Sequence, residues 1–153
     1  FFCQNVKKIG AHPAEDFFRP IRNGEGASRG RLVLEKDRFY ILCIRERVSI
    51  PQTLSGEMIP FSHNIGELRA HYAGFFDPGF GFGEAGELCG SNGVLEVRPH
   101  ETVTIYDGQP ICLMQFFHNR AAPLSCYGSK SLGSHYQGQT GPVLAKYFRS
   151  SSS

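Results

Sequence analysis

Short apolar runs separated by turn residues fill most of this chain, and they predict β-strands rather than helices. The clearest run is GVLEVRP (Gly93–Pro99), where Leu95 and Val97 alternate with side chains of the opposite face, among them Glu96. A period of two is that of a strand with one buried face and one open face. No window shows a sustained helical period, so the pattern predicts an all-β domain, either a sandwich or a closed barrel.

Further runs with the same character complete the predicted strands. Arg31–Glu35 and Arg38–Ile44 flank Lys36-Asp37 and predict a tight hairpin. The remaining runs are RVSIP, which ends a third strand at Pro51, then Glu67–Phe76, Thr102–Tyr106 and Ile111–Phe117, the last two joined by a predicted turn at 107–110.

The chain divides into three segments by composition. Residues 1–30 are polar and carry glycine, which predicts an arm or connector, whereas residues 31–126 hold the predicted strands of one β-domain. Residues 127–153 are rich in Gly, Ser and Gln with few apolar anchors, so this tail cannot build a core of its own. We expect the tail to pack on a ligand or on a neighbouring subunit.

Composition excludes several classes of protein. The net charge of +2 argues against a nucleic-acid binder that works through a basic surface. No apolar run approaches the roughly 20 residues of a membrane span, and no secretory signal is visible. Five cysteines are spread singly without a C-x-x-C pair, which predicts reduced thiols in a cytoplasmic protein.

Motifs for metal, nucleophilic or phosphate-loop chemistry are incomplete. PHE (Pro99–Glu101) offers the H-x-E of zinc-dependent nucleobase deaminases, but the P-C-x-x-C that completes their zinc shell is missing. The chain has no G-x-S-x-G, and GFGFGEAG lacks the Lys-Ser/Thr of a phosphate loop. The sequence therefore predicts no metal site and no zinc.

Two acids remain as candidates for chemistry. Glu96 is either part of a solvated strand face or a carboxylate held on a rigid strand, aimed into a pocket and able to take a proton from water. Asp77 precedes Pro-Gly, where an acid commonly belongs to a turn.

A resemblance to a known family adds to this. HYAGFFDPGFG followed by GVLEVR resembles the signature of the dCTP deaminases, relatives of the trimeric dUTPases, and SHYQGQTGP resembles their C-terminal segment. The resemblance runs from about Arg31 to Phe148 and is closest to the second half of the long, tandem-type bacterial enzymes. It implies a distorted β-barrel or jelly-roll of the dUTPase-like type. It also implies a homo-oligomer, either a trimer or a tandem pseudo-trimer, with sites between subunits.

The resemblance implies hydrolytic deamination of dCTP to dUTP and ammonia without zinc. Glu96 would be the general base, Asp77 would contact the deoxyribose 3′-hydroxyl, and the tail would close over the nucleotide and its phosphates. The other nucleotide-binding positions that the resemblance implies are Ser62, Ala73, Gly74, Tyr127, His135 and Gln139. Mg²⁺ would be bound through the triphosphate, and dTTP is a further candidate ligand beside dCTP and dUTP.

The chain departs from the family where phosphates are bound. The stretch Pro60–Leu68 keeps Ser62 but lacks the arginines of the family's clamp, and Phe75 stands where an arginine is usual. The chain is then half of a tandem site whose arginines lie elsewhere, or a non-catalytic nucleotide-binding domain. A third alternative is a dUTPase-like pyrophosphatase in which Asp77 activates water for attack on the α-phosphate.

Overall fold

The computed structural model describes residues 8–21, 27–28, 30–60, 70–71, 74–83 and 86–149. Over these ranges the chain forms eleven strands and a single 3₁₀ turn, so the all-β prediction is confirmed. The strands are β1 (His12–Pro13), β2 (Ala27–Ser28), β3 (Arg31–Leu34), β4 (Tyr40–Val48), β5 (Leu54–Pro60), β6 (Ala70–His71), β7 (Phe75–Phe76), β8 (Ser91–Val97), β9 (Val103–Tyr106), β10 (Cys112–His118) and β11 (Phe148–Arg149). No helix within the described ranges is long and apolar enough to cross a membrane.

The strands group into four small sheets. Three have three strands each, in the orders β10-β5-β7, β2-β3-β9 and β4-β8-β6, and the fourth pairs β1 with β11. Only the β1–β11 pair is parallel among the described ladders. No ladder between the strands listed above closes them into a barrel, so the closed barrel expected from the sequence is not observed.

The predicted hairpin around Lys36-Asp37 is wrong. β3 pairs with β2 and β9, whereas β4 pairs with β8 in a different sheet. Asp37 adopts a φ of 60°, and its N–H donates to the carbonyl of Pro99 at 2.8 Å. The connection is therefore tied to the chain that follows β8, and it does not fold β4 back onto β3.

The predicted third strand is also wrong, because Arg47 and Val48 of RVSIP are the last residues of β4. The strand runs unbroken from Tyr40 to Val48 and takes up extra residues in a bulge between Cys43 and Arg47. The carbonyls that the bulge leaves without ladder partners are bound by the buried side-chain amide of Asn92 on β8. This amide donates to the backbone oxygens of Ile44, Arg45 and Glu46 at 3.1, 3.3 and 3.2 Å.

The predicted turn at 107–110 is confirmed, since the N–H of Gln109 donates to the carbonyl of Tyr106 at 3.0 Å. The two strands that it joins lie in different sheets, β9 beside β3 and β10 beside β5. The turn is therefore a crossover between sheets rather than the tip of a hairpin.

The core lies where these sheets meet. Its buried apolar side chains are Leu34, Ile50, Met58, Phe76, Phe80, Leu95 and Val97. Burial of one such side chain contributes about 1.5–3 kcal/mol to stability. Leu95 and Val97 are the residues that the period-two pattern of β8 assigned to a buried face, and they are 6% and 0% exposed.

β1 and β11, the first and last strands described, pair with each other and bring residues 12–13 beside residues 148–149. The N–H groups of Gly10 and His12 donate to the carbonyls of Lys146 and Tyr147 at 2.9 and 3.1 Å. Phe17 and Phe18 pack edge-to-face against Phe148, with ring centroids 5.4 and 5.1 Å from it. We call Phe17, Phe18 and Phe148 the aromatic clasp.

Candidate active site

A pocket of about 390 Å³ lies over one face of β8. Val94 and Glu96 of β8 line it, since residues two apart in a strand project from the same face. The turn after β7, the tail and two members of the aromatic clasp, Phe18 and Phe148, form its walls.

Glu96 is carried on β8, the central strand of its sheet. β8 is hydrogen-bonded on both edges, with Glu96 opposite Ile41 of β4 and opposite His71 of β6. Its neighbours Leu95 and Val97 are buried on the other face, whereas Glu96 itself is exposed. The carboxylate is thus fixed at its base and open to water and ligand at its tip.

Asp77 enters the pocket from a tight turn. The N–H of Phe80 donates to the carbonyl of Asp77 at 3.1 Å, and Gly79 has a φ of 95°. Proline at the second position and a left-handed glycine at the third are the signature of a type II turn. The turn is held against the chain that follows β4, because Gly79 N–H donates to Ile50 O at 2.9 Å and Ile50 N–H donates to Phe80 O at 2.8 Å.

The tail docks on this turn through its first tyrosine and its glutamines. Tyr127 N–H donates to Pro78 O at 2.8 Å. The amide of Gln137 accepts from Gly81 N–H and donates to Gly79 O, both at 2.9 Å. Because both of its amide atoms are bonded to backbone, Gln137 fixes the tail and has little capacity left for a ligand.

Gln139 joins the tail to β8 and also lines the pocket. Its Nε2 donates to Asn92 O at 2.7 Å, and Asn92 N–H donates to the Gln139 carbonyl at 2.9 Å. The side chain is only 8% exposed, and its Oε1 is buried without a hydrogen-bond partner.

Two tyrosines of the tail complete the polar lining. The hydroxyl of Tyr127 accepts from the N–H of Tyr136 at 3.0 Å, and both rings line the pocket. Burial raises the pKa of the Tyr136 phenol, and the nearby Tyr127, Glu96 and Tyr147 raise it further. The phenol of Tyr136 is therefore a neutral donor at neutral pH.

His135 lies behind this wall. Its Nε2 is 2.8 Å from the carbonyl of Leu144, and its ring packs edge-on against Tyr136 with centroids 4.7 Å apart. In this position His135 supports the tail, and it is absent from the described lining of the pocket.

The charges of the pocket favour an uncharged part of a ligand. The described lining contains the carboxylates of Asp77 and Glu96 but no lysine, arginine or histidine. Two nearby carboxylates would repel phosphate groups, whereas a base and a sugar bring hydrogen-bonding groups and no charge.

A larger cavity of about 880 Å³ contains none of the predicted site residues that the structure describes. It lies beside the Arg45–Asp107 ion pair and is lined by Cys43 and Cys112. Burial raises the pKa of both thiols, and the carboxylate of Glu46 raises the pKa of Cys112 further. Raised pKa values lower the fraction of these thiols that is thiolate at neutral pH.

The pocket brings together four of the predicted site residues, Glu96, Asp77, Tyr127 and Gln139. Gly74 is buried beside Met58, whose N–H donates to the Gly74 carbonyl at 2.7 Å, and it is absent from the described lining, as is His135. Ser62 and Ala73 lie outside the described residues. The roles given to all of these residues stay predictions.

Sequence reasoning missed Asn92, Tyr136 and Phe18. Asn92 and Tyr136 stand within or beside the quoted motifs, but the partners of Asn92 lie 46 or more positions away and the partner of Tyr136 lies in the fold of the tail. Phe18 belongs to the segment predicted to be an arm, and no local signal indicates that it reaches a pocket.

Comparison with known proteins identifies the family of this chain. The family model described as 2′-deoxycytidine 5′-triphosphate deaminase (DCD), C-terminal domain, matches residues 3–148. This chain belongs to the dCTP deaminase family.

Proteins of similar sequence carry names from the same family. The protein named dCTP deaminase, dUMP-forming, of Corynebacterium efficiens is 30% identical over 131 residues, which are 84% of this chain and 64% of that protein. The protein of the same name from Leifsonia xyli is 31% identical over 140 residues, 89% of this chain and 65% of that protein. The chain thus spans somewhat less than two thirds of these dCTP deaminases.

A solved structure is also similar. The crystal structure of 2′-deoxycytidine 5′-triphosphate deaminase from Agrobacterium tumefaciens shares 42% identity with a TM-score of 0.63. The match covers 73% of this chain but only 32% of that dCTP deaminase chain. This coverage fits a C-terminal portion of a longer family member.

Proposed function

We propose that this chain carries the deamination site of a dCTP deaminase in pyrimidine deoxynucleotide metabolism. The observation that carries the proposal is the pocket over β8. The exposed Glu96 of β8 lines this pocket together with Asp77, Tyr127 and Gln139. A rigid carboxylate open to water is suited to act as a general base.

In the proposed reaction Glu96 takes a proton from a water molecule, whose oxygen attacks C4 of the cytosine ring. The same carboxyl group then gives the proton to the departing 4-amino group. The oxygen of water becomes the 4-oxo group, its second proton moves to ring N3, and the products are dUTP and ammonia. The proposal involves no zinc.

Mg²⁺ enters the proposal as a companion of the triphosphate. No three His, Cys, Asp or Glu side chains in the described ranges are grouped to hold a metal ion. In the proposal the Mg²⁺ ion takes its oxygen ligands from phosphates and water. Chelation should stop turnover and added Mg²⁺ should restore it.

The triphosphate itself needs cations from outside the described lining, which has none. We propose that another subunit, or another part of a tandem protein, supplies them, so the protein is a homo-oligomer or a tandem pseudo-trimer. Mass measurement in solution tests this, and an active monomer without a second domain would exclude shared sites.

The direct test of the deaminase is ammonia release from dCTP. Glu96→Gln should lower turnover by at least about 100-fold, the usual contribution of a general base, while dCTP binding is kept. Glu101→Gln is the matched control, because Glu101 is exposed just beyond β8 and away from the pocket. Full deamination by Glu96→Gln would exclude the assigned role.

A second candidate is deamination followed by hydrolysis to dUMP. The names of the relatives favour it, since both are called dUMP-forming, whereas the resemblance alone suggested dUTP as product. Analysis of the products separates the two candidates. Deamination alone releases ammonia, whereas deamination followed by hydrolysis releases both ammonia and pyrophosphate. If Asp77 activates water for that step, Asp77→Asn should lose pyrophosphate release and keep ammonia release.

A further inference from the structure

Asn92 and Gly93 of β8 form a dipeptide whose side-chain amide is chemically labile. In its deamidation the backbone nitrogen of the glycine bonds to the side-chain amide carbon, and the amide nitrogen leaves with the N–H proton as ammonia. Water then opens the resulting succinimide to aspartate or isoaspartate. Glycine after asparagine favours ring closure because no β-carbon hinders the approach of its nitrogen. The sequence holds one other such pair, Asn23-Gly24, which lies outside the described residues.

The fold holds the side chain of Asn92 away from this reaction. Ring closure requires the amide to turn toward the nitrogen of Gly93. The amide instead donates to the carbonyls of Ile44, Arg45 and Glu46 at 3.1, 3.3 and 3.2 Å. Asn92 is also only 9% exposed, so the bulge of β4 both binds the amide and shields it from water.

The backbone of Asn92 is held by the tail. Its N–H donates to the Gln139 carbonyl at 2.9 Å, and its carbonyl accepts from Gln139 Nε2 at 2.7 Å. One residue earlier, the hydroxyl of the buried Ser91 accepts from the N–H of Gly138 at 2.7 Å. The tail must therefore separate from β8 before the backbone of Asn92 can rotate into the ring.

Packing explains why the reactive glycine is present. A Cβ at position 93 would lie 2.9 Å from Cδ1 of Ile44 and 3.4 Å from the ring of Phe76. Phe76 belongs to the buried core, and Ile44 packs against it. Close packing of β8 thus favours the residue that makes Asn92 reactive, and the protection of Asn92 has to come from its hydrogen bonds.

The products of deamidation do not fit the place of Asn92. Aspartate brings two acceptor oxygens and a negative charge to three carbonyl oxygens, which also only accept. A buried charge without a partner is strongly unfavourable. Isoaspartate in addition inserts a methylene group into the backbone of residue 92. The N–H and carbonyl that Gln139 binds then lose their spacing.

We propose that Asn92-Gly93 is a modification site that the closed tail protects, and that its deamidation stops the tail from closing again on β8. Each opening of the tail exposes the pair, and the modified chain stays open because its new carboxylate has no donor there. The reaction consumes water, releases ammonia and needs no other reactant. It is independent of the reaction proposed for the pocket, since peptide masses report it.

The first experiment measures deamidation of the intact protein in warm, mildly alkaline buffer with and without guanidinium chloride. Peptide mass spectrometry follows the change from amide to acid at Asn92. The native protein should react at least about 100-fold more slowly than the unfolded chain, because the reaction requires local opening. Gly93→Ala should slow the unfolded chain several-fold. Equal native and unfolded rates would overturn the protection, and an unchanged rate in Gly93→Ala would exclude ring closure.

Gln139→Met tests whether the tail provides the protection. It removes the hydrogen bond to the Asn92 carbonyl, so the native rate at Asn92 should rise several-fold. Gln109→Met is the matched control, because it also removes one glutamine bond to backbone, but in the turn after β9. Equal rates in the two variants would show that the tail does not protect Asn92.

The second experiment follows modified chains through refolding. Protein deamidated in part in guanidinium chloride is returned to buffer, and brief proteolysis removes chains whose tail stays open. The share modified at Asn92 should fall several-fold among the resistant chains. The share modified at Asn23 is the matched control, because the chemistry and the added charge are the same. An unchanged share at Asn92, or equal depletion at both positions, would overturn the proposal.

Discussion

At the scale of single residues, two positions in β8 give Glu96 its setting. Leu95 and Val97 are buried at 6% and 0% exposure, so any rotation of the strand that moved Glu96 would also expose them. Loss of such contacts costs about 1.5–3 kcal/mol for each side chain. The apolar face of the strand therefore holds the polar face in register.

The raised pKa of the Cys112 thiol can be tested by the pH dependence of its alkylation. Because burial and the Glu46 carboxylate raise its pKa, less of it is thiolate at pH 8 than in free cysteine. Alkylation by iodoacetamide should be slower than for free cysteine, and the rate should continue to rise at pH values where free cysteine has levelled off. Mass spectrometry of the modified peptide gives the rate.

Limited access alone would also slow alkylation, but it would leave the pH profile unshifted. Glu46→Gln separates the causes, since removal of the charge should move the profile of Cys112 toward lower pH. An unchanged profile in this variant would contradict the role of Glu46.

At the scale of elements, the turn after β7 packs closely against the start of the tail because residue 79 is glycine. Its φ is 95°, and a Cβ there would lie 2.8 Å from Tyr127 O and 2.9 Å from Cys126 Cβ. Gly79→Ala should lower the free energy of unfolding by about 2–4 kcal/mol, from backbone strain plus the clash with the tail. Denaturant unfolding measures this loss.

Gly133→Ala is the control for Gly79→Ala. Gly133 also has a positive φ, 57°, but a Cβ there would have nothing within 4 Å. It should show only the backbone part of the cost, about 1 kcal/mol. Equal losses in the two variants would mean that the contact with the tail adds nothing.

Individual elements could be predicted from local pattern, but their pairing could not. The alternation around Leu95 and Val97 predicts β8 because side-chain period is a property of the strand itself. The signal at Lys36-Asp37 predicts a change of direction, yet β3 pairs with β2 before it and with β9, about 70 residues later, and not with β4. A contact at that distance leaves no trace in a short window of sequence.

At the scale of the whole molecule, the N-terminal segment and the tail close the pocket together. Phe18 and Phe148 line it, and their rings pack edge-to-face. Edge-to-face aromatic pairs contribute about 0.5–1.5 kcal/mol beyond the area that they bury. The segment predicted to be a connector is thus part of the structure that surrounds the site.

Phe18→Ala should therefore loosen the tail. Hydrogen exchange of the amides around Tyr136–Phe148 should become several-fold faster without nucleotide, because a broken clasp lowers the free energy of local opening. Phe117→Ala is a suitable control, since Phe117 is 42% exposed on β10 and is absent from the described lining of the pocket. Unchanged exchange in the tail of Phe18→Ala would show that the clasp does not hold it.

The predicted site residues were found through family motifs. Glu96, Asp77, Tyr127 and Gln139 stand in recognisable segments, and the fold brings them to one pocket. The free oxygen of Gln139 could not be foreseen, because it depends on a hydrogen bond to Asn92, 47 positions away. Tertiary structure decides which of the two amide atoms has a hydrogen-bond partner and which has none.

The parallel pairing of β1 with β11 also has a mechanical consequence. A force that pulls residues 8 and 149 apart acts along both strands in opposite directions, so it loads their hydrogen bonds together in shear. In an antiparallel pair pulled in the same way, the bonds would open one after another like a zipper. Gly10, His12 and their partners in the tail are thus arranged to share tension that arrives from either side of the domain.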